Sequence, residues 1–292
     1  MIDLAVDPVL AWASGRRDDL PWRLTRDPWA VLVSELMLQQ TQVARVVPRF
    51  ARFLERFPTV AVCAENGVGA VVEEWAGLGY NRRAVNLHRA AVQVVELHGG
   101  AFPDELDALL ALPGVGPYTA RAVLAFAFER DAAVVDTNVG RILARQAGER
   151  LTASVAQSLA DGLVPAGQSW AWNQAMLDLG ALVCTKRTPL CEVCPVHASC
   201  SWFAAGSPEP DPAVGSAGVS AGQSRFEGSF RQGRARLLDV LRTGAVVSAV
   251  QFIEACGWSA REGGERDAAR AAESLIADGL AVSVEDGSLR LP

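Results

Sequence analysis

The chain has 292 residues, half of them hydrophobic, six cysteines and a formal net charge of −6. That length gives room for one large or two modest domains with a real core. No 18-residue apolar run suggests a membrane span, and Met1-Ile-Asp is no charged prelude to a signal segment, so the chain reads as a soluble cytoplasmic protein. The acidic balance excludes a global basic field: residues 1–205 carry 18 basic and 21 acidic side chains. A phosphate-bearing partner must therefore be met by local arginines and backbone amides.

Residues 1–205 read as almost wholly helical. Asp27-Pro28 forms an N-cap followed by proline at the first helical position. The apolar periodicity from Trp29 to Phe57 predicts a long helix broken near Pro48. Further helices are predicted over about Thr59–Ala76, Arg83–Leu97, Pro103–Ala111, Tyr118–Phe128, Val139–Arg145, Val155–Leu163 and Trp170–Leu182. Residues 206–225, rich in Gly, Ser, Pro and Ala, read as a flexible linker. Beyond it, Arg231–Leu241, Val247–Ala255 and Arg266–Asp278 read as helices. Residues 281–291 read as a hairpin turning at Asp286-Gly287. Residues 226–292 are thus expected to form a small winged-helix-like domain.

Four stretches carry chemistry. Cys184, Cys191, Cys194 and Cys200 fall within 17 residues. Thiolates at such spacing converge on one metal centre, and spacing alone leaves zinc and iron–sulfur open. Cys63 and Cys256 sit in apolar surroundings and read as plain buried thiols. The segment Leu112-Pro-Gly114-Val-Gly116-Pro-Tyr118 joins two helices. It is either an ordinary helix–helix turn or an amide-lined phosphate site at a helix N-terminus. Asp136 precedes a helix and reads as its N-cap, ionised because helix amides stabilise the charge. Glu35 stands among Leu32, Val33, Leu36, Met37 and Leu38. It is either a desolvated carboxyl with a raised pKa or a glutamate on an exposed helix face.

These stretches together resemble the endonuclease III and MutY branch of the helix-hairpin-helix DNA glycosylases, from about Leu20 to Trp202. The six-two-five cysteine spacing resembles that family's [4Fe-4S] loop. The Leu112–Ala120 segment resembles its hairpin, and Val134–Val139 the segment of its catalytic aspartate. Ser34-Glu35-Leu-Met-Leu38-Gln39-Gln-Thr41 resembles the signature of the MutY adenine glycosylases. Leu20-Pro-Trp22-Arg23 resembles the segment lining their adenine pocket. Gly77-Leu-Gly-Tyr80 resembles the loop whose tyrosine wedges into the base stack, with Asn81 standing where a second tyrosine is usual. Asn173-Gln-Ala-Met-Leu-Asp178-Leu-Gly180 resembles the helix leading to the cluster.

The resemblance implies an all-α helix-hairpin-helix glycosylase domain over residues 1–205 and a structural [4Fe-4S] cluster on the four cysteines. It implies Glu35 as the acid acting on adenine, Asp136 as the anion facing a cationic sugar, and Tyr118 and Asn138 positioning sugar and water. Trp22, Arg23, Leu38, Gln39, Thr41, Tyr80, Gly114 and Gly116 would contact DNA. The expected partner is double-stranded DNA with adenine opposite 8-oxoguanine or guanine, bound by a monomer associated with the nucleoid. Endonuclease III relatives carry a lysine where this chain has Tyr118. Lys186, in the cysteine loop, is the only lysine, so Schiff-base lyase chemistry has no other side-chain amine to use. Many MutY proteins end in a Nudix-like domain with a Phe-Ser-His loop. Residues 226–292 are too short for it and contain no such tripeptide. Phe226 to Phe230 with Arg231, Arg234 and Arg236 reads either as a DNA contact or as a solvated helix face. Two rival readings remain: a glycosylase of the same scaffold acting on another lesion or mismatch, and an iron–sulfur DNA-binding protein without activity.

Overall fold

The computed structural model describes residues 4–216, 225–260 and 262–292. They are helical apart from one short hairpin. The chain packs as two compact units. One comprises Met1–Leu32, Asp104–Leu110 and Val115–Gly222; the other comprises Val33–Pro103, Ala111–Gly114 and Gln223–Pro292. The division falls inside the Pro28–Leu38 helix, so Glu35 belongs to the second unit.

The first unit is built on the helices Thr137–Ala147 and Ser169–Leu182. Ile142, Leu143, Trp172, Met176 and Leu179 fill the core between them. Val6–Ala13, an eight-residue helix that the sequence pattern did not announce, packs on Ser169–Leu182 through the fully buried Val9. The stretch predicted as a linker is ordered over its described part. Asp211 accepts from Arg145, Ser216 Oγ accepts from the Leu151 amide, and Trp202 Nε1 donates to Pro208 O. Residues 217–224 of the predicted linker lie outside the described residues.

The second unit contains Val43–Arg56, Val60–Glu65, Val68–Glu74, Arg82–His98 and the C-terminal segment. Asp27 caps the Pro28–Leu38 helix as expected, accepting from the Trp29 amide at 3.0 Å. The long predicted helix breaks at residues 39–42, where Gln40 has φ 54°, and not at Pro48. Pro48 lies inside Val43–Arg56 and gives up a single helical hydrogen bond there. The predicted Thr59–Ala76 helix is two, divided at Asn66-Gly67. The C-terminal segment forms Phe230–Leu241, a short turn running into Phe252–Ala255, and Gly264–Ala277. Val282–Ser283 then pairs antiparallel with Leu289–Arg290, and Asp286 fixes the turn by accepting from the Ser288 amide. No helix among the described residues is long and apolar enough to cross a membrane.

Candidate active site

In the second unit, Glu35 is 6% exposed on a helix whose neighbouring residues Val31 to Met37 are all buried. It is therefore a desolvated carboxyl rather than part of a solvated face. The end of that helix is held by Arg83. Its guanidinium donates to the carbonyls of Leu36 (2.5 Å), Met37 (3.0 Å) and Gln39 (2.7 Å). The same group donates to Thr41 Oγ1 (3.2 Å) and to the carbonyls of Gly79 (2.9 Å) and Tyr80 (3.3 Å). A helix end leaves carbonyls without internal partners, and here one buried cation takes several of them. It also fastens the Leu38–Thr41 turn to the Leu78–Tyr80 loop. Burial pushes Arg83 down to about 10. Tyr80 is exposed and has φ 46°, a backbone conformation that costs a non-glycine residue about 1–2 kcal/mol. Gly114 requires its glycine: φ is 78°, and a Cβ there would lie 2.7 Å from the Asn86 side chain.

In the first unit, Asp136 is the N-cap of Thr137–Ala147. Oδ1 accepts from the amides of Asn138 and Val139, both at 2.8 Å, and Oδ2 accepts from Asn138 Nδ2 at 2.7 Å. The expectation of a carboxylate simply stabilised by helix amides needs correction. Burial is the largest influence and pushes the Asp136 carboxyl above its ordinary value, with these hydrogen bonds and Arg141 opposing it. Asn138 is fixed from the other side, its Oδ1 accepting from Arg141 Nη2 at 2.8 Å. Arg141 also donates to Gly180 O (2.7 Å) and Cys184 O (2.6 Å). A continuous hydrogen-bonded path thus runs from Asp136 through Asn138 and Arg141 to the cysteine loop. Gly180 lets the two helices approach, since a Cβ there would lie 2.5 Å from Asn138 Cβ.

The Pro117–Phe126 helix starts at the predicted hairpin, with Gly116 as N-cap, Pro117 first and Tyr118 second. Trp22 is buried. Arg23, expected at the DNA face, spends its guanidinium on Asp178 at 2.8 and 2.9 Å, where Arg17 also donates at 3.2 Å. Arg23 therefore anchors the Trp22 segment to the Ser169–Leu182 helix.

Cys184, Cys191, Cys194 and Cys200 line one cavity with Ile142, Leu179 and other apolar residues. Arg145, 2% exposed, crosses its rim and donates to Cys184 Sγ (3.3 Å), Thr185 O (2.8 Å) and Asp211 Oδ2 (2.6 Å). Among the described residues, no three His, Cys, Asp or Glu side chains close on a single ion. Cys63 and Cys256 are fully buried, and burial pushes their thiols up to about 12 and about 11.

Residues 33–160 match the HhH-GPD superfamily of base excision DNA repair proteins. The chain is 38% identical to the adenine DNA glycosylase of Mycolicibacterium smegmatis, across 99% of this chain and 97% of that one. It is 41% identical to the adenine DNA glycosylase of Mycobacterium tuberculosis, across 97% and 92%. It belongs to the adenine DNA glycosylase family.

The human adenine DNA glycosylase is 40% identical over 66% of this chain and 38% of its own length. Among solved structures, a thermostable thymine-DNA glycosylase superposes with a TM-score of 0.65 and 32% identity, covering 68% of this chain and 95% of that one. An endonuclease III–DNA complex shares the fold, with a TM-score of 0.59 at 23% identity. The mycobacterial adenine DNA glycosylases thus match nearly the whole chain, whereas the human enzyme and these structures match about two thirds of it. As a member of this family the protein is an enzyme, a hydrolase of N-glycosyl bonds. Sequence reading gave no contact to Arg83, which ties the end of the Glu35 helix within the second unit, nor to Arg141, Arg145 and Asp178, which tie Asn138, the cysteine loop and the Trp22 segment within the first. One signal was present. Arg141 and Arg145 sit four apart in the apolar run Val139–Ala147, a spacing that puts both on one helix face.

Proposed function

We propose that the protein removes adenine mispaired with 8-oxoguanine or guanine from duplex DNA, by hydrolysis and without strand cleavage. The observation that carries the reading is Glu35. A buried carboxyl within an adenine glycosylase signature suits a general acid. An adenine paired inside a duplex is out of reach, so the base is flipped out, at a cost of about a few kcal/mol that a mismatch lowers. Glu35 protonates the base and makes it a better leaving group. The glycosidic bond breaks with oxocarbenium character, and Asp136, held by three hydrogen bonds, faces that cation. Asn138 and Tyr118 orient the water and the sugar. The absence of any lysine but Lys186 agrees with a product that keeps an intact abasic site.

In this reading Cys184, Cys191, Cys194 and Cys200 hold a [4Fe-4S] cluster. Four sulfurs around one zinc would lie about 3.7 Å apart, given Zn–S bonds of about 2.3 Å. Four thiols from one 17-residue segment that line a common cavity suit a four-iron centre. Bound there, the cluster would be structural, stiffening a loop that exposes Lys186 and Arg187.

The test is single-turnover incubation with duplexes holding adenine opposite 8-oxoguanine, guanine or thymine, and one holding thymine opposite guanine, each with and without alkali. Alkali-dependent breaks at adenine opposite either purine are expected. The likeness to a thymine-DNA glycosylase makes the last duplex the informative rival; cleavage there alone sinks the adenine reading. Glu35→Gln and Asp136→Asn are expected to bind DNA and release no base.

A further inference from the structure

The C-terminal segment builds one wall of a groove within the second unit, and the loop Gly77–Asn81 builds the other. Four arginines line it, Arg45, Arg231, Arg234 and Arg242, against a single carboxylate, Asp239. This is a local cationic excess in a chain of net charge −6. Two of the arginines are fixed by internal partners. Arg242 donates to Val72 O (3.0 Å) and to Asn81 Oδ1 (2.8 Å). Arg234 donates to Ser274 Oγ (2.6 Å) and Asp278 Oδ2 (2.5 Å). Arg45 and Arg231 are exposed. Each wall also presents an aromatic ring: Tyr80 is 46% exposed and Phe226 is 52% exposed, with Arg231 lying 5.9 Å over the Phe226 ring.

Two further features mark this groove. Gln40 and Tyr80, both on its lining, have left-handed backbones (φ 54° and 46°). Strain of this kind persists where surrounding contacts enforce it and clusters at functional sites. Asn81 is the residue that Arg242 grips, so the C-terminal segment is fastened to the Tyr80 loop.

We propose that residues 226–242 are a second DNA-holding element, and that this groove takes a strand of the duplex. Arg45 and Arg231 meet phosphates, and Phe226 stacks on a base, while Arg234 and Arg242, ion-paired with Asp278 and Asp239, hold the walls in place. Arginines interleaved with exposed aromatics suit a nucleic-acid strand, which offers anionic oxygens and flat π-faces together. The inference rests on the reading that the protein acts on DNA.

The test uses the full-length protein and equilibrium binding to a duplex carrying an uncleavable adenine analogue opposite 8-oxoguanine, across a salt series. Arg231→Ala and Arg45→Ala are each expected to weaken binding severalfold and to lower the slope of log K against log salt by about one. Phe226→Ala is expected to weaken binding about fivefold or more. Arg290→Ala, an exposed arginine of the hairpin outside the groove lining, is the charge-matched control and is expected to bind like the parent. Groove variants that bind within twofold of the parent, with an unchanged slope, overturn the proposal. So does an equal loss in Arg290→Ala. The catalytic reading is judged separately: a parent that binds the duplex through the groove yet releases no adenine sinks that reading and leaves the groove standing.

Discussion

Arg83 shows what one buried cation does when its charge is spread over a planar fork. Its guanidinium serves the carbonyls that end the Glu35 helix together with those of the Tyr80 loop. Lysine keeps the charge but not the fork. Arg83→Lys is expected to leave several buried carbonyls without donors and to cost about 2–4 kcal/mol in urea unfolding; a loss below about 1 kcal/mol would refute this account. Asp136 poses the opposite case. Burial raises its folded-state pKa, so its contribution to stability is greatest below the unfolded value and is lost as pH rises through the folded one. Above that range the buried carboxyl contributes no such stability. Asp136→Asn is therefore expected to melt at pH 7 no lower than the parent. A clear drop in Tm would mean that its hydrogen bonds outweigh its burial. Neither effect was legible in the sequence. By sequence Arg82-Arg83 could be a solvated face, and an N-cap aspartate reads as ordinary until its surroundings are known.

Among the elements, the Thr137–Ala147 helix carries the most. Asp136 caps its start, Arg141 in its middle reaches Asn138, Gly180 and Cys184, and Arg145 near its end reaches Cys184 Sγ. The facing helix meets it at Gly180. Gly180→Ala must push Asn138 aside, because the added methyl has 2.5 Å where a carbon contact needs more than 3 Å. Overpacking of this kind costs about 1–3 kcal/mol, whereas displacing a group that orients a reacting partner by about 1 Å costs about a hundredfold in rate. The expected result is a large loss of single-turnover rate with Tm only moderately lowered. Equal proportional losses would make Gly180 merely structural. Helix identities were readable from apolar spacing, and the caps at Asp27 and Asp136 from residue type. The breaks were less so. Pro48 suggested one and did not make it, while Gln39–Gln42, with no proline or glycine, did. Its stop is written in Arg83, more than forty residues away in sequence.

At the scale of the molecule, the family was legible because its marks sit in compact motifs: a glutamate in an apolar helix, an aspartate before a helix, four cysteines in 17 residues. What escaped was long-range. The two packing units interleave in sequence, with residues 33–103 and the C-terminal segment in one of them, and no local pattern announces that grouping. The stretch 207–216 looked like spacer by composition, yet Asp211 meets the buried Arg145 and so helps to hold the rim of the cysteine cavity. Finally, nearly all of the positive charge is arginine, and the single lysine is exposed on the cysteine loop. Amine-directed reagents are thereby confined to Lys186 and the N-terminal amine. One fluorophore or one acetyl group at Lys186 would be a single-position reporter, its labelling rate following solvent access to that loop while the guanidinium groups stay untouched.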